Sequence, residues 1–458
     1  MLSFSVKEVT SRRLKEVHVR HSNFLFWFTT FTVAALAGCG SGSSTTGGSG
    51  TGSSGGGGAQ TSNPTTVTYT FTGGTPTATA VQIGTGAFTA ATLQSNKLSI
   101  TIPSGTTTYA IAYVCPPVAE YGETITFESV IEASTQDGSS FPASCFGSGT
   151  TGSVTGTVDA SAIPGATSVV VRGNQAYGTT LRTTTGSFNA SLLTGTNDVA
   201  LIALNSSGTV LAVKILRGQT VPGALNGGNS IVFSTTDETT PQSITVNGVP
   251  SGYVTPATAN VLYVTAGGTI FYLSTNATTQ YLAVPSAAVA AGDFYSFEPN
   301  SDDVSTDTAF VGANVDSPSG GSVTLALPAA WSYAGPTAAL LPTFNFSYSG
   351  FSSDAAITYE SELEWQTSQA NFDTVSVAAT GNYLGSSTSV AVPNLSALTG
   401  FVAPAPAGTF VTWVAYIWGG GWTPDLWDGG AQGFPSYTSP PSSGSISFVK
   451  KIGNFTQP

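Results

Sequence analysis

Short runs in which apolar and polar residues alternate recur along most of the chain, and this pattern constrains the fold more than any other feature. A period of two is typical of half-buried β-strands, and clusters of Gly, Pro, Asn and Ser between the runs indicate tight turns. Helical periodicity is nearly absent, and residues 286–291 are its best candidate. Only 8% of residues are charged, while Gly and Pro number 54 and 25, a composition that favours strands and turns over helical bundles. The sequence therefore predicts an all-β fold, with clear alternation at Val67-Tyr69-Phe71, Leu98-Ile100-Ile102 and Val199-Leu201-Ala203.

The length of 458 residues exceeds that of one ordinary domain. Breaks in the alternating pattern occur near residues 150, 240 and 335. Each interval between them has the usual size of an antiparallel β-sandwich. We therefore expect four tandem β-sandwiches, at residues 66–150, 151–240, 241–335 and 336–458.

A basic leader and a short apolar segment precede this folded part. Thirteen residues of helix over 24–36 would rise about 20 Å, less than the roughly 30 Å of a bilayer core, so the segment indicates a signal peptide. It ends in Leu36-Ala37-Gly38-Cys39, which resembles the bacterial lipobox. This resemblance implies that residues 1–38 are removed and that the Cys39 thiol carries lipid. The alternative is an ordinary cysteine at the end of an apolar helix.

The segment 39–65 begins at Cys39 and is otherwise rich in Gly, Ser and Thr. It can bury little apolar surface, so we expect a disordered tether with a reach of roughly 25–30 Å. Gly40 follows the cysteine where an Asp would be a retention signal, and by resemblance to Gram-negative lipoproteins this implies the outer membrane. The expected location is therefore the bacterial cell envelope, with the membrane as a partner through the lipid anchor.

Histidine chemistry and nucleic-acid binding are both disfavoured. The two histidines, His18 and His21, lie in the predicted leader, so the mature chain would lack imidazole for catalysis or zinc binding. The whole chain has a formal net charge of −12, and removal of the basic leader makes it more negative, which disfavours nucleic acid as a partner.

Cys115 and Cys145 are expected to form a disulfide in an exported protein. A catalytic thiol is the alternative, but no histidine would remain to activate it.

Two of the predicted sandwiches resemble known families. The stretch G-S-V-T-G-T-V-D-A from Gly152, followed by Gly165-Ala166 and T-G-S-F at 185–188, resembles the carboxypeptidase-regulatory-like (transthyretin-type) sandwich. Strands near 357–365, 390–392 and 409–418 resemble a fibronectin type III or immunoglobulin sandwich. These resemblances imply folds and carry no activity.

Three carboxylates alternate with bulky residues in the last unit. Glu360, Glu362 and Glu364 would share one face of a strand, opposite Leu363 and Trp365. A functional interpretation is a glycosidase-like acid/base pair or a calcium site. The favoured interpretation is a solvated face that also protects a sheet edge, because a flat row of carboxylates does not flank a cleft.

A second acidic stretch lies between residues 293 and 307. Clustered carboxylate oxygens suit calcium, but the spacing of an EF-hand loop is absent, so a plain acidic turn is favoured and calcium is kept as an alternative. No other cofactor is expected. The candidate metal ligands are Glu298, Asp302, Asp303 and Asp307.

Aromatic residues are concentrated near the C-terminus. Alternation places Trp413 toward the core with Val411 and Ala415, while Tyr416 and Trp418 face the other way. Aromatic faces beside carboxylates are typical of carbohydrate-binding surfaces, although loop tryptophans also cap the ends of sandwiches. The candidate ligand-binding residues are Trp418, Trp422, Trp427, Asp425 and Asp428.

These features together predict a membrane-anchored envelope lipoprotein, and not an enzyme, with a role in binding, adhesion or structure. Its candidate partners besides the membrane are carbohydrate and an envelope protein. Two alternatives stay open. A secreted enzyme acting on polysaccharide would need two carboxylates flanking a deep cleft. A passive spacer that carries a partner protein outward would need neither a cleft nor an aromatic surface.

Overall fold

The computed structural model describes residues 64–72, 74–120, 123–145, 151–173, 178–306, 308–351, 356–420 and 445–458. Their structure is β-strand with short turns, which confirms the predicted all-β class. One α-helical turn, α1 (Gly381–Leu384), and three 3₁₀ turns (Leu225–Gly228, Thr235–Asp237 and Ser286–Ala288) are the helical elements among these residues. No helix in the described ranges is long and apolar enough to cross a membrane.

Sixteen of the described strands precede residue 240. The first eight are β1 (Thr65–Thr72), β2 (Ala78–Ile83), β3 (Thr89–Ala90), β4 (Lys97–Ile102), β5 (Thr108–Val114), β6 (Val118–Glu120), β7 (Glu123–Ser134) and β8 (Ser140–Ser144). The next eight are β9 (Thr151–Asp159), β10 (Ser168–Arg172), β11 (Gly178–Leu181), β12 (Thr185–Leu193), β13 (Gly195–Leu204), β14 (Val210–Val221), β15 (Gly223–Ala224) and β16 (Ile231–Val232).

Thirteen further strands complete the described fold. Seven are β17 (Thr240–Asn247), β18 (Thr258–Val264), β19 (Ile270–Ala277), β20 (Gln280–Ala283), β21 (Phe294–Asp302), β22 (Ala309–Ser317) and β23 (Val323–Ala326). The last six are β24 (Thr343–Asn345), β25 (Ala356–Ser368), β26 (Asn371–Thr380), β27 (Ser389–Ala391), β28 (Phe410–Gly420) and β29 (Ser445–Thr456).

A single sheet of 13 of the described strands runs through most of the molecule. Its order is β19-β18-β21-β22-β29-β28-β25-β26-β7-β5-β2-β3, and β6 pairs with β7. Neighbours within it are antiparallel except β26 and β7, which are parallel. The sheet therefore joins strands from the first, third and fourth predicted units, and its backbone hydrogen bonds cross the predicted boundaries between them.

Smaller sheets pack against this long sheet to form sandwiches. The sheet β4-β1-β8 shares a core with β5 and β7, β20-β17-β23 with β18, β19 and β21, and the pair β24-β27 with β25, β26 and β28. The unit at 151–240 is a sandwich of its own, in which β12-β9-β15, with β16 beside β9, packs on β11-β10-β13-β14. Alternation accounts for these cores, since the burial of β4 follows the two-residue period from Leu98 to Ile102.

The predicted disulfide is present and joins two sheets. Cys115 follows β5 of the long sheet, Cys145 follows β8 of the small sheet, and their Cα atoms lie 5.2 Å apart. Both cysteines are buried, at 3% and 0% exposure. The crosslink therefore fastens the two layers of the first sandwich to each other.

An ionic network joins the second sandwich to the long sheet. The Arg217 guanidinium on β14 donates to Asp198 Oδ2 at 2.9 Å, and to Asp293 Oδ1 and Oδ2 at 2.9 and 2.5 Å. Its Nη2 also donates to the carbonyl of Ala288 at 2.7 Å. Asp293, just before β21, accepts from the Tyr263 hydroxyl as well, at 2.6 Å. These contacts fix one sandwich against the next.

Candidate functional site

A small crevice lies between the long sheet and the coil segments that follow β23 and β27. Its buried polar lining comes from Glu128 on β7, Trp365 on β25 and Gln457 just after β29, and the exposed Asn394 also lines it. The rest of the wall is mainly apolar, and the exposed Leu340 lies at its surface end. The centre of a water molecule can move through about 20 Å³ of this crevice, enough for one water or hydroxyl group.

The strand pattern and the C-terminal backbone place these three side chains. Alternation puts Glu128 on the same face of β7 as Val130, which belongs to the core beneath β24 and β27. Trp365 lies on the corresponding face of β25, and its ring is part of the same core. The backbone N–H of Gln457 donates to the carbonyl of Thr409 at 2.8 Å, which holds the end of the chain beside β28.

All three polar groups are almost completely buried. Glu128 is 2%, Gln457 3% and Trp365 4% exposed. Burial raises the pKa of Glu128 to about 7, although a hydrogen bond from the Val402 N–H to Oε2, at 2.8 Å, acts in the opposite direction. Trp365 Nε1 and Gln457 Nε2 have no hydrogen-bond partner among the described residues. The crevice thus combines two free N–H donors with a carboxyl group that can accept or donate near neutral pH.

Analysis of the sequence did not find this crevice. Glu128 shares a strand face with Val130, and a carboxylate at a core-facing position was the only local signal. Trp365 and Gln457 lie in distant parts of the chain, and the parallel pairing of β7 with β26 brings Glu128 near them. No spacing along the sequence encodes that pairing.

The prediction of a solvated, edge-protecting face for Glu360, Glu362 and Glu364 is wrong. β25 lies inside the sheet between β26 and β28, and Glu360 and Glu362 are only 2% and 5% exposed. Glu364 is half-buried. The error arises because alternation assigns side chains to faces but does not reveal whether the polar face is covered.

The buried glutamates share their sheet face with a buried cation. In one row across the sheet, Glu360 is opposite Tyr416, Tyr416 opposite Lys450, and Lys450 opposite Phe310. Lys450 Nζ lies 5.1 Å from the Tyr416 ring centroid and 5.2 Å from that of Phe310, distances typical of cation–π contacts. Burial lowers the pKa of Lys450 to about 8 against the pull of Glu362 and Glu360, and burial raises that of Glu362.

Trp418 belongs to this covered face. Trp413 packs inward with Val411 and Ala415, whereas Trp418 and Tyr416 lie on the other face, as alternation predicts. The Trp418 ring is only 6% exposed, and its indole N–H donates to Glu360 Oε2 at 3.1 Å. Because it is buried, the Trp418 ring does not form part of an exposed binding surface, and its assignment as a ligand-binding residue is wrong. The other candidate ligand-binding residues, Trp422, Asp425, Trp427 and Asp428, lie outside the described residues, as does Cys39.

The three candidate calcium ligands that the structure describes, Glu298, Asp302 and Asp303, form no metal site. Glu298 and Asp302 are four residues apart on β21, a separation of about 13 Å along the strand. Both oxygens of Asp303 accept hydrogen bonds from its own turn, and these bonds lower its pKa to about 2 despite partial burial. No group of three His, Cys, Asp or Glu side chains in the described ranges could hold a metal. Asp307 lies outside those ranges, so calcium binding stays an untested alternative to the plain acidic turn.

Glu298 instead lies near Asp316 on β22. Burial, together with the charge of Asp316, raises the pKa of Glu298 to about 8, and burial raises that of Asp316 to about 7. Glu298 Oε1 and Asp316 Oδ1 are buried without a hydrogen-bond partner among the described residues. Both carboxyl groups therefore keep their proton to a higher pH than exposed carboxyl groups do.

No protein-family model and no curated protein matches the sequence. Among solved structures, the chain is similar to the tip fimbrial protein Mfa3 from Porphyromonas gingivalis with C-terminal truncation, at 12% identity and a TM-score of 0.15, covering 33% of this chain and 78% of that one. It is also similar to a candidate adhesin from Bacteroides ovatus, at 10% identity and a TM-score of 0.15, covering 42% and 96%. The Bacillus anthracis TIE protein matches at 9% identity and a TM-score of 0.14, covering 58% and 50%.

Proposed function

We propose that the chain is a lipid-anchored protein of the bacterial outer membrane whose β-sandwiches serve binding or adhesion. The leader, the lipobox-like Cys39 and the Gly/Ser-rich tether support the anchor. The continuous 13-stranded sheet is the single observation that supports the binding role best. It provides a stiff body that can hold a binding surface at a distance from the membrane.

The sheet matters because of how it would carry a pulling force. A load between the tether and a bound partner acts across all sandwiches that lie between them. Tandem domains joined only by linkers would transmit it through single chain segments, whereas β26 and β7 share a ladder of backbone hydrogen bonds over nine residue pairs. The ionic contacts of Arg217 connect the remaining sandwich, at residues 151–240, to this sheet. A body connected in this way suits an adhesive role.

Anchoring can be tested with the full chain expressed in a Gram-negative host. We expect labelled palmitate to be incorporated and the protein to sediment with outer membranes. Cys39→Ser is the matched control, because it keeps the leader and the folded part and removes only the acylated sulfur. Equal labelling and sedimentation of the Cys39→Ser protein would contradict the anchor.

Binding can be tested with the detergent-extracted full chain on a glycan array and in pull-down experiments with purified envelope proteins. We expect saturable binding of a saccharide or an envelope protein, and no release of sugar from soluble polysaccharides. Hydrolysis of a polysaccharide would contradict the binding role and favour the enzyme alternative. Absence of binding in both assays would favour the passive spacer.

A further inference from the structure

The Glu128 crevice has the chemistry of a subsite for one hydroxyl group. Trp365 and Gln457 each bring an N–H that has no acceptor among the described residues, although both side chains are at least 96% buried. Buried donors without acceptors are costly, so an oxygen atom that accepts from both would be strongly favoured there. The crevice has room for such an atom but not for a sugar ring.

Glu128 selects among the groups that could supply this oxygen. One of its oxygens is held by the Val402 N–H, and a carboxyl group with a pKa of about 7 both donates and accepts hydrogen bonds near neutral pH. A hydroxyl group matches all three partners, because it accepts from two N–H groups and donates to a carboxylate. Above about pH 7, where Glu128 is mainly ionised, an ether or carbonyl oxygen has no proton to donate to it. An anionic group would meet the charge of Glu128 and the acidic character of the whole chain.

The surroundings of the crevice indicate what carries the hydroxyl. Leu340, 55% exposed, Leu341, Pro393 and Pro404 surround the polar groups with apolar surface. Saccharides and other polyols carry C–H groups beside their hydroxyls. Their C–H groups can contact these apolar residues while a hydroxyl bonds to the polar groups. A single water molecule could bond to the polar groups but would leave the apolar residues around them without a contact.

We propose that this crevice is the ligand subsite of the protein, and that it binds one hydroxyl group of an uncharged saccharide, with Trp365, Gln457 and Glu128 as its direct partners. This inference rests on the proposed binding function, because it names the place and the ligand class for that function. It assigns the recognition to residues other than the candidate ligand-binding residues Trp418, Trp422, Asp425, Trp427 and Asp428.

The indole N–H resonance of Trp365, followed by NMR in the ¹⁵N-labelled full chain, tests this subsite. Methyl glucoside serves as the saccharide probe, ethylene glycol as a small hydroxyl probe, and dimethoxyethane as a matched ether without O–H. At a pH of about 8, where Glu128 is mainly ionised, we expect saturable shifts with the two hydroxyl compounds and none with the ether. Trp365→Phe, which keeps an aromatic ring in the core, identifies the resonance by its loss.

The variants Gln457→Met and Glu128→Gln test whether these side chains are needed for binding and not merely for folding. Both keep the approximate volume of the side chain, and circular dichroism shows whether each variant folds. We expect a folded Gln457→Met protein to bind methyl glucoside at least tenfold more weakly. Absence of any probe-induced shift, or equal shifts with dimethoxyethane, would overturn the subsite.

The glycan array distinguishes failure of the subsite from failure of the binding function. If the folded Trp365→Phe and Gln457→Met proteins bind the array as well as the natural chain does, that result would support the binding function and overturn the subsite. Saturable shifts with methyl glucoside but no binding in either the array or the pull-down would support the subsite and count against the wider binding role.

Discussion

The two ends of the 13-stranded sheet are attached to their neighbouring sheets by different chemistry. At the end formed by β5, β2 and β3, the Cys115–Cys145 disulfide ties the long sheet to the small sheet above it. At the other end, beside β21, Arg217 of the second sandwich is held by Asp198 and Asp293. A covalent bond fastens one end, and a buried ionic contact fastens the other.

At the β21 end, two carboxyl groups show that charge in the interior depends on partners rather than on burial alone. Burial acts to raise the pKa of Asp293, but its hydrogen bonds from Arg217 and Tyr263 lower it below the ordinary value. Glu298 lies five residues farther along the chain, without a described cation beside it, and burial raises its pKa to about 8. One carboxyl is kept charged and the other is kept neutral. The contributions of these two carboxyl groups to stability should therefore depend on pH in opposite directions.

Among the changes measured at one fixed pH, loss of the disulfide should have the largest effect, and it should weaken only the first end. In the chain-entropy estimate, closing a loop of 30 residues stabilises a fold by about 3.6 kcal/mol. We expect the Cys115→Ser, Cys145→Ser double variant to lose about this much free energy of unfolding in urea titrations. Hydrogen exchange should become faster in β1 and β8, while β18 and β21 stay protected. Equal acceleration at both ends would contradict separate attachment.

Arg217→Met should weaken the opposite end. Removing one partner of a buried ionic contact leaves Asp293 without its cation, and because Arg217 is itself partly exposed we expect a loss of about 3 kcal/mol. Lys214→Met is the matched control, since Lys214 pairs with Asp237 nearer the surface and should contribute no more than about 1 kcal/mol. Urea titration of both variants measures the difference. Similar losses in the two variants would show that burial of Asp293 has no special role.

Acid should also act on the Arg217 end. Because the pKa of Asp293 is lowered in the folded state, its contribution is present above the ordinary Asp value of 3.8 and is lost as the pH falls through the folded value. The difference in unfolding free energy between the natural chain and Arg217→Met should therefore shrink below pH 4. A difference that is constant from pH 7 to pH 3 would contradict the ionic account.

Glu298→Gln should change stability in the opposite direction with pH. The raised pKa of Glu298 gives the folded state an extra proton, so its stabilising contribution is complete below 4.5 and is lost as the pH rises through about 8. The variant should gain stability relative to the natural chain by about 1.4 kcal/mol per pH unit in that interval. Glu238→Gln, the same change at a half-exposed position, serves as the control. Parallel pH profiles for the natural chain and Glu298→Gln would contradict a buried neutral carboxyl.

Removal of calcium should have the smallest effect of all. Asp303 already accepts hydrogen bonds at both oxygens, so a cation there would have to displace contacts within the turn. We expect a chelator to shift the midpoint of thermal unfolding by less than about 1 °C, equivalent to a few tenths of a kcal/mol. A large chelator-dependent shift would show that the acidic stretch is a metal site.

Local patterns in the sequence predicted the strands and their faces well, but not what covers those faces. The inward position of Trp413, between Val411 and Ala415, follows from alternation because it depends only on neighbours along one strand. The burial of Glu360 depends on β26 and β28 and on the cover of the face, none of which is local. The Glu128 crevice was missed for the same reason. The cover of each face depends on pairing between strands that are far apart in the sequence, and alternation along one strand does not reveal this pairing.

Mass spectrometry of the N-terminal peptide of the membrane-extracted protein tests the central claim most directly, because the proposed location, the tether and the binding role all depend on the anchor. The account predicts that the mature chain begins at Cys39 and that this residue carries the mass of a diacylglyceryl group. A chain that retains residues 1–38, or an N-terminal Cys39 with an unmodified thiol, would contradict it.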